Sequence, residues 1–437
     1  MQAFPITGTE EPDNENLSLL RLLNPEVLAD PHTLYRALRQ QNPVHWDPYM
    51  HAWVVTTYPE VVTVLKTYSA DRTPQPAYLE SLGLSLMKPF AEVMLQQMMF
   101  MDGAQHSRLR GICAAAFTPR RVEELRSVIE TITDELIDKV IASGRMDLIA
   151  DFANLLPAIV TARLLGVPVE DHEQLHNWVI DLAEVLGNFQ HHPDRVAEIV
   201  QSLEDLKSYV AARMEEQRQR PTDGLISSLM TAELDGHRLS DDEVIANTII
   251  TLIGGHETTT NLIASGFLTL LHNPESFEQL RDQPEIVASA VEELLRFESP
   301  VQHTARIAPA EMQLGGKTIK KGARVVAVLA AANRDPDRFS DPDRLNLVRP
   351  DNRHLAFGWA AHFCFGAPLA RMEGQIAFTK LLGRLSRPAL IDRTLDWRAN
   401  AGLRGLTKLH ISFDSGVPGP TAVVATNRPR GVQEPSS

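Results

Sequence analysis

Residues His354–Gly374 read HLAFGWAAHFCFGAPLARMEG. Cys364 stands there between glycines and aromatic rings, just ahead of a helix predicted to start near Ala367-Pro368, where proline suits a first helical turn. A thiolate in a turn at a helix N-terminus is stabilised by the helix dipole and by free backbone N–H groups. Gly366 lets the backbone come close to the sulfur. Phe357, Phe363 and Phe365 are expected to keep water out. A lone cysteine is by default a small buried hydrophobe, and Cys113 reads that way. The surroundings of Cys364 instead suit a single axial thiolate ligand on haem iron.

A second segment is as unusual. Ser240-Asp241-Asp242-Glu243 is a capping box that starts a helix, and His272-Asn273-Pro274 ends it. About 31 residues give a length on the order of 45 Å. The segment is apolar on most sides, so a buried central helix is predicted. Its middle reads LIGGHETTTNLIA, Leu252–Ala264. Gly254 and Gly255 cost roughly 1 kcal/mol each against alanine. Thr258, Thr259 and Thr260 can bond back to earlier carbonyls and bend the helix. On this reading the helix is spoiled to make a groove for water, with Glu257 as a titratable acid and Thr258 as a hydroxyl that together relay protons. The competing reading is close helix packing through the glycines, with incidental polar neighbours. His256-Glu257 also opens a zinc-protease motif, but its second histidine falls at Thr260, so that motif fails.

The 437 residues exceed the size at which one core usually stops growing, so two domains or one large two-lobed fold is expected. Hydrophobic residues make up 43% and charged residues 22%, ordinary for a globular protein. The net charge of −14 argues against generic nucleic-acid or anionic-membrane binding. Two distant cysteines form no CxxC or zinc spacing, which fits a reducing compartment. The N-terminal residues lack the pattern of a signal peptide, and no stretch is apolar enough to span a bilayer. A cytoplasmic protein without a membrane anchor is the expectation.

Along the chain, 1–16 reads as flexible, 17–415 as a single domain, and 416–437, rich in Pro, Gly and Ser, as a disordered tail. A helix is predicted over Asn24–Gln41 and strands over Val44–Trp46 and Ala52–Thr56. Residues 71–100 read as loop, 103–300 as nearly all helix, and strands return over Ala305–Ala330. The fold class is mainly α: a large helical body with a long central helix and a small β lobe.

Here the chain resembles the cytochrome P-450 family. The family's cysteine loop is Phe-Gly-x-Gly-x-His-x-Cys-x-Gly, and this chain has Phe357, Gly358, His362, Cys364 and Gly366 at those positions. Ala360 replaces the middle glycine; if that position needs φ > 0, alanine adds strain of order 1 kcal/mol. Gly254-Gly255-His256-Glu257-Thr258 looks like the oxygen-activation stretch, and Glu293-Leu294-Leu295-Arg296 matches the Glu-x-x-Arg pair, with Arg344 as a candidate third partner. His106, Arg110, Arg306 and His362 match the contacts to haem propionates. The resemblance runs from about Asn24 to Phe413.

It implies haem b (iron protoporphyrin IX) as cofactor, the long helix lying over it, and an O2-dependent monooxygenase acting on a hydrophobic small molecule such as a secondary metabolite, fatty acid, terpenoid or steroid. Glu257 and Thr258 would be catalytic, and Cys364 would bind the metal. Phe357 and Gly366 would flank the haem on the cysteine side. Ile250, Ile253, Gly254, Gln302, Thr304 and Leu403 would line the substrate pocket, roofed by 71–100 with Met94, Met98, Met99 and Met101. A separate ferredoxin or flavodoxin with its reductase would supply electrons, docking on Arg108, Arg120, Arg121 and Arg371. A peroxide-driven hydroxylase and a non-catalytic haem-thiolate sensor are the alternatives.

Overall fold

The computed structural model describes residues 17–415 except 82 and 188–192, so the expectations for 1–16 and 416–437 fall outside the described residues. The first predicted helix is cut in two. A short helix Pro25–Ala29 ends at Asp30, and α1 spans Pro31–Gln41. The residue before a proline is pushed out of the helical region, and Asp30 has φ −130° and ψ 81°.

Next come β1 (Val44–Asp47) and β2 (Ala52–Val55). Residues 71–100, expected as loop, hold short helices Pro76–Ser81 and Lys88–Met94, with a 3-10 turn at Ser85–Met87 between them and another at Met98–Phe100 after them. The helical body follows with α2 (Gly103–Ala116), α3 (His172–Gly187), α4 (Asp241–His272) and α5 (Val287–Phe297). Strands β3 (Thr304–Ile307) and β4 (Arg324–Ala327) return to the small lobe, and α6 (Ala367–Arg384) starts directly after the cysteine loop.

The lobe's sheet has the order β1-β2-β4-β3. β2 pairs with β4 in parallel, and the other two pairings are antiparallel. Successive strand residues point to opposite faces, and both faces are covered. Val44, Val55, Val325 and Ala327 pack on the helix carrying Val61 and Val64. Ala52, Val54 and Val326 pack on Leu34, Tyr35 and Leu38 of α1.

Helix α4 is 32 residues long, about 48 Å. Ser240 and Glu243 close both halves of the predicted capping box. Of the three threonines, only Thr258 bonds back, donating to the Gly254 carbonyl at 2.6 Å. Thr260 donates to the Ala153 carbonyl on a neighbouring segment, and the helix is unbroken. Close packing uses Gly266, where a Cβ would lie 2.6 Å from Phe378 of α6, and to a lesser degree Gly255, where it would lie 3.3 Å from Thr161 Oγ1. The roof segment is tied to α4 by Asn247, which accepts from the Met98 N–H and donates to the Gln96 carbonyl. Met98 and Met101 are buried in the main core.

On α5, Glu293 and Arg296 form a fully buried ion pair with two hydrogen bonds of 2.8 Å each. The third partner is Arg349, not Arg344. Arg349 Nε lies 3.0 Å from Glu293, and its Nη groups donate to the Ser340, Asp341 and Arg344 carbonyls. Arg344 thus contributes its backbone to this network. Asn346 N–H and Asn352 Nδ2 also donate to Glu293, so the buried carboxylate has both charge and hydrogen-bond compensation.

Candidate active site

The cysteine loop is a tight turn built on two left-handed residues. Gly358 has φ +71° and Ala360 φ +56°. Alanine therefore occupies a position that favours glycine, and the expected strain is present. The Cys364 N–H donates to the Phe357 carbonyl at 2.7 Å, fixing the turn. Burial pushes the Cys364 thiol up; the backbone N–H groups of Gly366 and Ala367 and the charges of Arg110 and Arg371 pull against it. Phe365 packs 5.0 Å from Phe117, and Phe357 lies 6.2 Å from Phe363, an aromatic shell around the sulfur. Cys113 differs: it is buried in the core, which pushes its thiol up to about 12.

Four predicted cations fall on two sides of one region. His106 and His362 stack with ring centres 4.2 Å apart, and His362 Nε2 is 3.4 Å from Asp102. Arg306 is buried on β3; it donates to Thr304 Oγ1 and the Ala305 carbonyl, while its Nε has no partner. His106 Nε2 is likewise buried without a partner. Burial lowers Arg306 to about 10, and burial with the nearby His106 and Arg306 lowers His362 to about 4. Arg110 instead holds the cysteine loop, donating to the Phe363 carbonyl at 2.6 Å.

The sequence reading missed Arg72, whose guanidinium lies 4.5 Å over the Phe100 ring and which burial, Arg306 and Arg324 together lower to about 9. No periodicity or spacing marks Arg72. Asp102 is the carboxylate that acts on both arginines, but it is one charge against two, and its hydrogen bonds go to Ser69 and to the Ala70 and Asp71 N–H groups. Buried cations with orphaned donors call for a multiply charged anion, and the two propionates of haem meet that demand.

On α4 the polar midpoint divides by face. Ile250, Ile253 and Gly254 share one side at i, i+3 and i+4. Gly254 is open although it lies mid-helix in the core, and a Cβ there would meet no atom within 4 Å. Glu257 is 2% exposed; it forms an ion pair with Arg398 and accepts from Asn261 Nδ2 at 3.1 Å. His256 turns away to His176 of α3, with their ring nitrogens 2.9 Å apart. Burial, with His176 and Arg398 nearby, pushes His256 down to about 3. Arg398 was not anticipated, because an ion pair across 141 residues leaves no local signal; Asn261, four residues after Glu257 on the same helix, does carry the local i,i+4 signal and was missed.

Leu403 is buried and pairs with Val301 through a β-bridge. Thr304 sits beside Arg306. Gln302 is held at both ends of its amide. Its Oε1 accepts from Tyr35 of α1 and its Nε2 donates to the Ser299 carbonyl, so the amide ties α1 to the segment entering β3. The proposed arginine patch is also largely spent. Arg108 pairs with Glu243, Arg121 donates to the Ala116 and Asp223 carbonyls, and Arg371 binds Glu292. Arg120 is the one that projects into solvent, 89% exposed beside Glu124.

Among the described residues no group of His, Cys, Asp and Glu is arranged to hold a metal ion, and no helix is long and apolar enough to cross a membrane. The family model described as Cytochrome P450 matches residues 85–387. The chain is similar to the polyketide biosynthesis cytochrome P450 PksS of Bacillus subtilis, 36% identical over 89% of this chain and 97% of that protein. It is similar to the vitamin D(3) 25-hydroxylase of Pseudonocardia autotrophica, 34% identical over 94% of this chain and 98% of that one. Among solved structures it resembles P450BioI in complex with an acyl carrier protein bearing hexadec-9Z-enoic acid. The TM-score is 0.82 at 34% identity, covering 89% of this chain and all (100%) of that one.

Proposed function

The chain belongs to the cytochrome P450 family, and from that premise we propose that Cys364 would supply the thiolate that holds the haem iron and that Glu257 and Thr258 are the proton-handling pair of its monooxygenase site. Haem b is the cofactor of this enzyme class, and when bound it supplies the activation of O2 and the insertion of one oxygen atom into substrate. The single observation that carries the site assignment is the pairing of Cys364, in a turn stabilised by α6 N–H groups, with orphaned buried nitrogens on His106 and Arg306.

In this reading His106, Arg306 and His362, joined by Arg72, hold the propionates. Phe357, Phe363 and Phe365 keep water from the sulfur, and the N–H groups of Gly366 and Ala367 moderate its charge. Arg110 fastens the loop through Phe363. Thr258 Oγ1 is held by the Gly254 carbonyl, so its lone pairs remain to accept a proton donor. Glu257 takes up protons from the Arg398 side, where the pair is 22% exposed at the guanidinium, and delivers them toward Thr258. Gly254 leaves the room beside Thr258 that an alanine methyl would fill.

The substrate is a hydrophobic small molecule held by Ile250, Ile253, Leu403 and Thr304. The relatives named for polyketide, biotin and vitamin D(3) chemistry support that class. Electrons come from a ferredoxin or flavodoxin with its reductase, and residues 17–415 act as one cytoplasmic unit.

The test is the ferrous–CO difference spectrum of the purified protein beside Cys364→Ala. A strongly red-shifted Soret band that the variant loses supports the ligand assignment; a band typical of histidine ligation in the parent sinks it.

A further inference from the structure

Glu292 and Glu293 are neighbours on α5, but about 100° apart around the helix. Glu293 belongs to the buried triad. Glu292 points to the cysteine side and accepts from Arg371 Nε and Nη2, each at 2.7 Å. His354 Nε2 lies 3.2 Å from the same carboxylate. The other ring nitrogen, Nδ1, accepts from the Ala356 N–H at 3.1 Å, so Nε2 is the one that donates to Glu292. Burial raises Glu292, but its bonds from Arg371 and His354 outweigh this and hold it at about 2. The Glu292–Arg371 pair therefore stays ionised at ordinary pH.

Both partners of Glu292 converge on one ring. The Arg371 guanidinium lies 4.7 Å from the centre of Phe357, and the His354 ring lies 5.9 Å from it. Phe357 is the residue whose carbonyl accepts the Cys364 N–H. A chain of contacts thus runs from α5 through Arg371 of α6 and His354 to the turn carrying the sulfur.

We propose that Glu292, Arg371 and His354 form a brace that positions Phe357, and through it Cys364, while setting the charge beside the iron ligand. These are positioning residues; none touches the reacting atoms. Two parallel bonds fix the plane of the guanidinium, and that plane lies over the ring. Lysine supplies the charge without the fork or the flat face. A cation near the ligand favours the more negatively charged, reduced state of the centre. Removing Arg371 therefore lowers the reduction potential, and neutralising Glu292 while Arg371 remains raises it. A merely structural brace would not give shifts of opposite sign.

The proposal rests on Cys364 as ligand. The experiment compares the haem-loaded parent with Arg371→Met, Arg371→Lys and Glu292→Gln by midpoint potential and by the decay rate of the red-shifted ferrous–CO band. Arg371→Met is expected to shift the potential down and speed the decay several-fold. Arg371→Lys recovers most of the potential but still decays faster than the parent, and Glu292→Gln shifts the potential up. Shifts of one sign in all variants, or none, overturn the brace. If Arg371→Met retains no haem, Glu292→Gln and Arg371→Lys decide by the same criteria. A parent without the red-shifted band overturns the ligand assignment and the brace with it, whereas a parent with the band and unmoved variants overturns the brace alone.

Discussion

Glu373 lies on α6, nine residues after Cys364, and is 1% exposed with no hydrogen-bond partner for Oε2. Burial alone raises its pKa from 4.5 to about 8. In the unfolded chain the carboxyl ionises near 4.5, whereas in the folded protein it keeps its proton until about pH 8. Folding stability linked to this group is complete below pH 4.5 and is lost as the pH rises through 8. By linkage the loss relative to a neutral isostere is about 1 kcal/mol at pH 5 and about 4 kcal/mol at pH 8. An unfolding entropy of about 2.1 cal/mol/K per residue gives about 0.9 kcal/mol/K for a chain of 437 residues. Glu373→Gln should therefore melt about 1 °C above the parent at pH 5 and about 4–5 °C above it at pH 8. The assay is far-UV circular dichroism melting of the haem-loaded parent and variant at matched scan rate from pH 5 to 8. Any fixed cost of placing an amide there moves all points equally, so the slope is what counts. A difference between the two proteins that stays flat over this pH range would refute the reasoning.

Gly254→Ala meets no neighbouring atom and improves helix propensity, so stability should rise by about 1 kcal/mol while product formed per electron falls; a variant with undiminished coupling would show that this position does not border the oxygen site. Arg349→Met leaves Glu293 undercompensated, at a cost of about 3–5 kcal/mol read as a lower melting temperature, whereas Arg344→Met changes it little. Equal losses in both variants would contradict the assignment of the third partner. Ala360→Gly relieves left-handed strain of about 1–2 kcal/mol but adds about 0.5–1 kcal/mol of unfolded-chain entropy. A small net gain is expected, seen as slower decay of the red-shifted ferrous–CO band; faster decay would count against strain at Ala360.

Local pattern carried much of this protein's architecture. The capping box at Ser240 and the apolar run after it set α4, because both signals depend only on residues within a few turns. Pro31 was a local signal underweighted, and it splits the first helix; the short helices in 71–100 were another. The cysteine loop and even the strain at Ala360 were legible, since turn geometry is written in consecutive residues. What the chain order could not reveal was which distant side chain meets which. Arg349 rather than Arg344 completes the Glu293 network, because the turn at 341–349 directs Arg349 inward. Gln302 matches a pocket position by motif, yet its amide is consumed by Tyr35, which lies 267 residues away. Glu257 was readable as an acid, but its lock on Arg398 was not. Arg371 reads in the sequence as a docking-patch cation, whereas folding puts Glu292 and Phe357 against it. Helices and turns follow from short-range sterics and hydrogen bonds, whereas the charge partners around the cysteine and the acid exist only once α4, α5 and α6 are packed together.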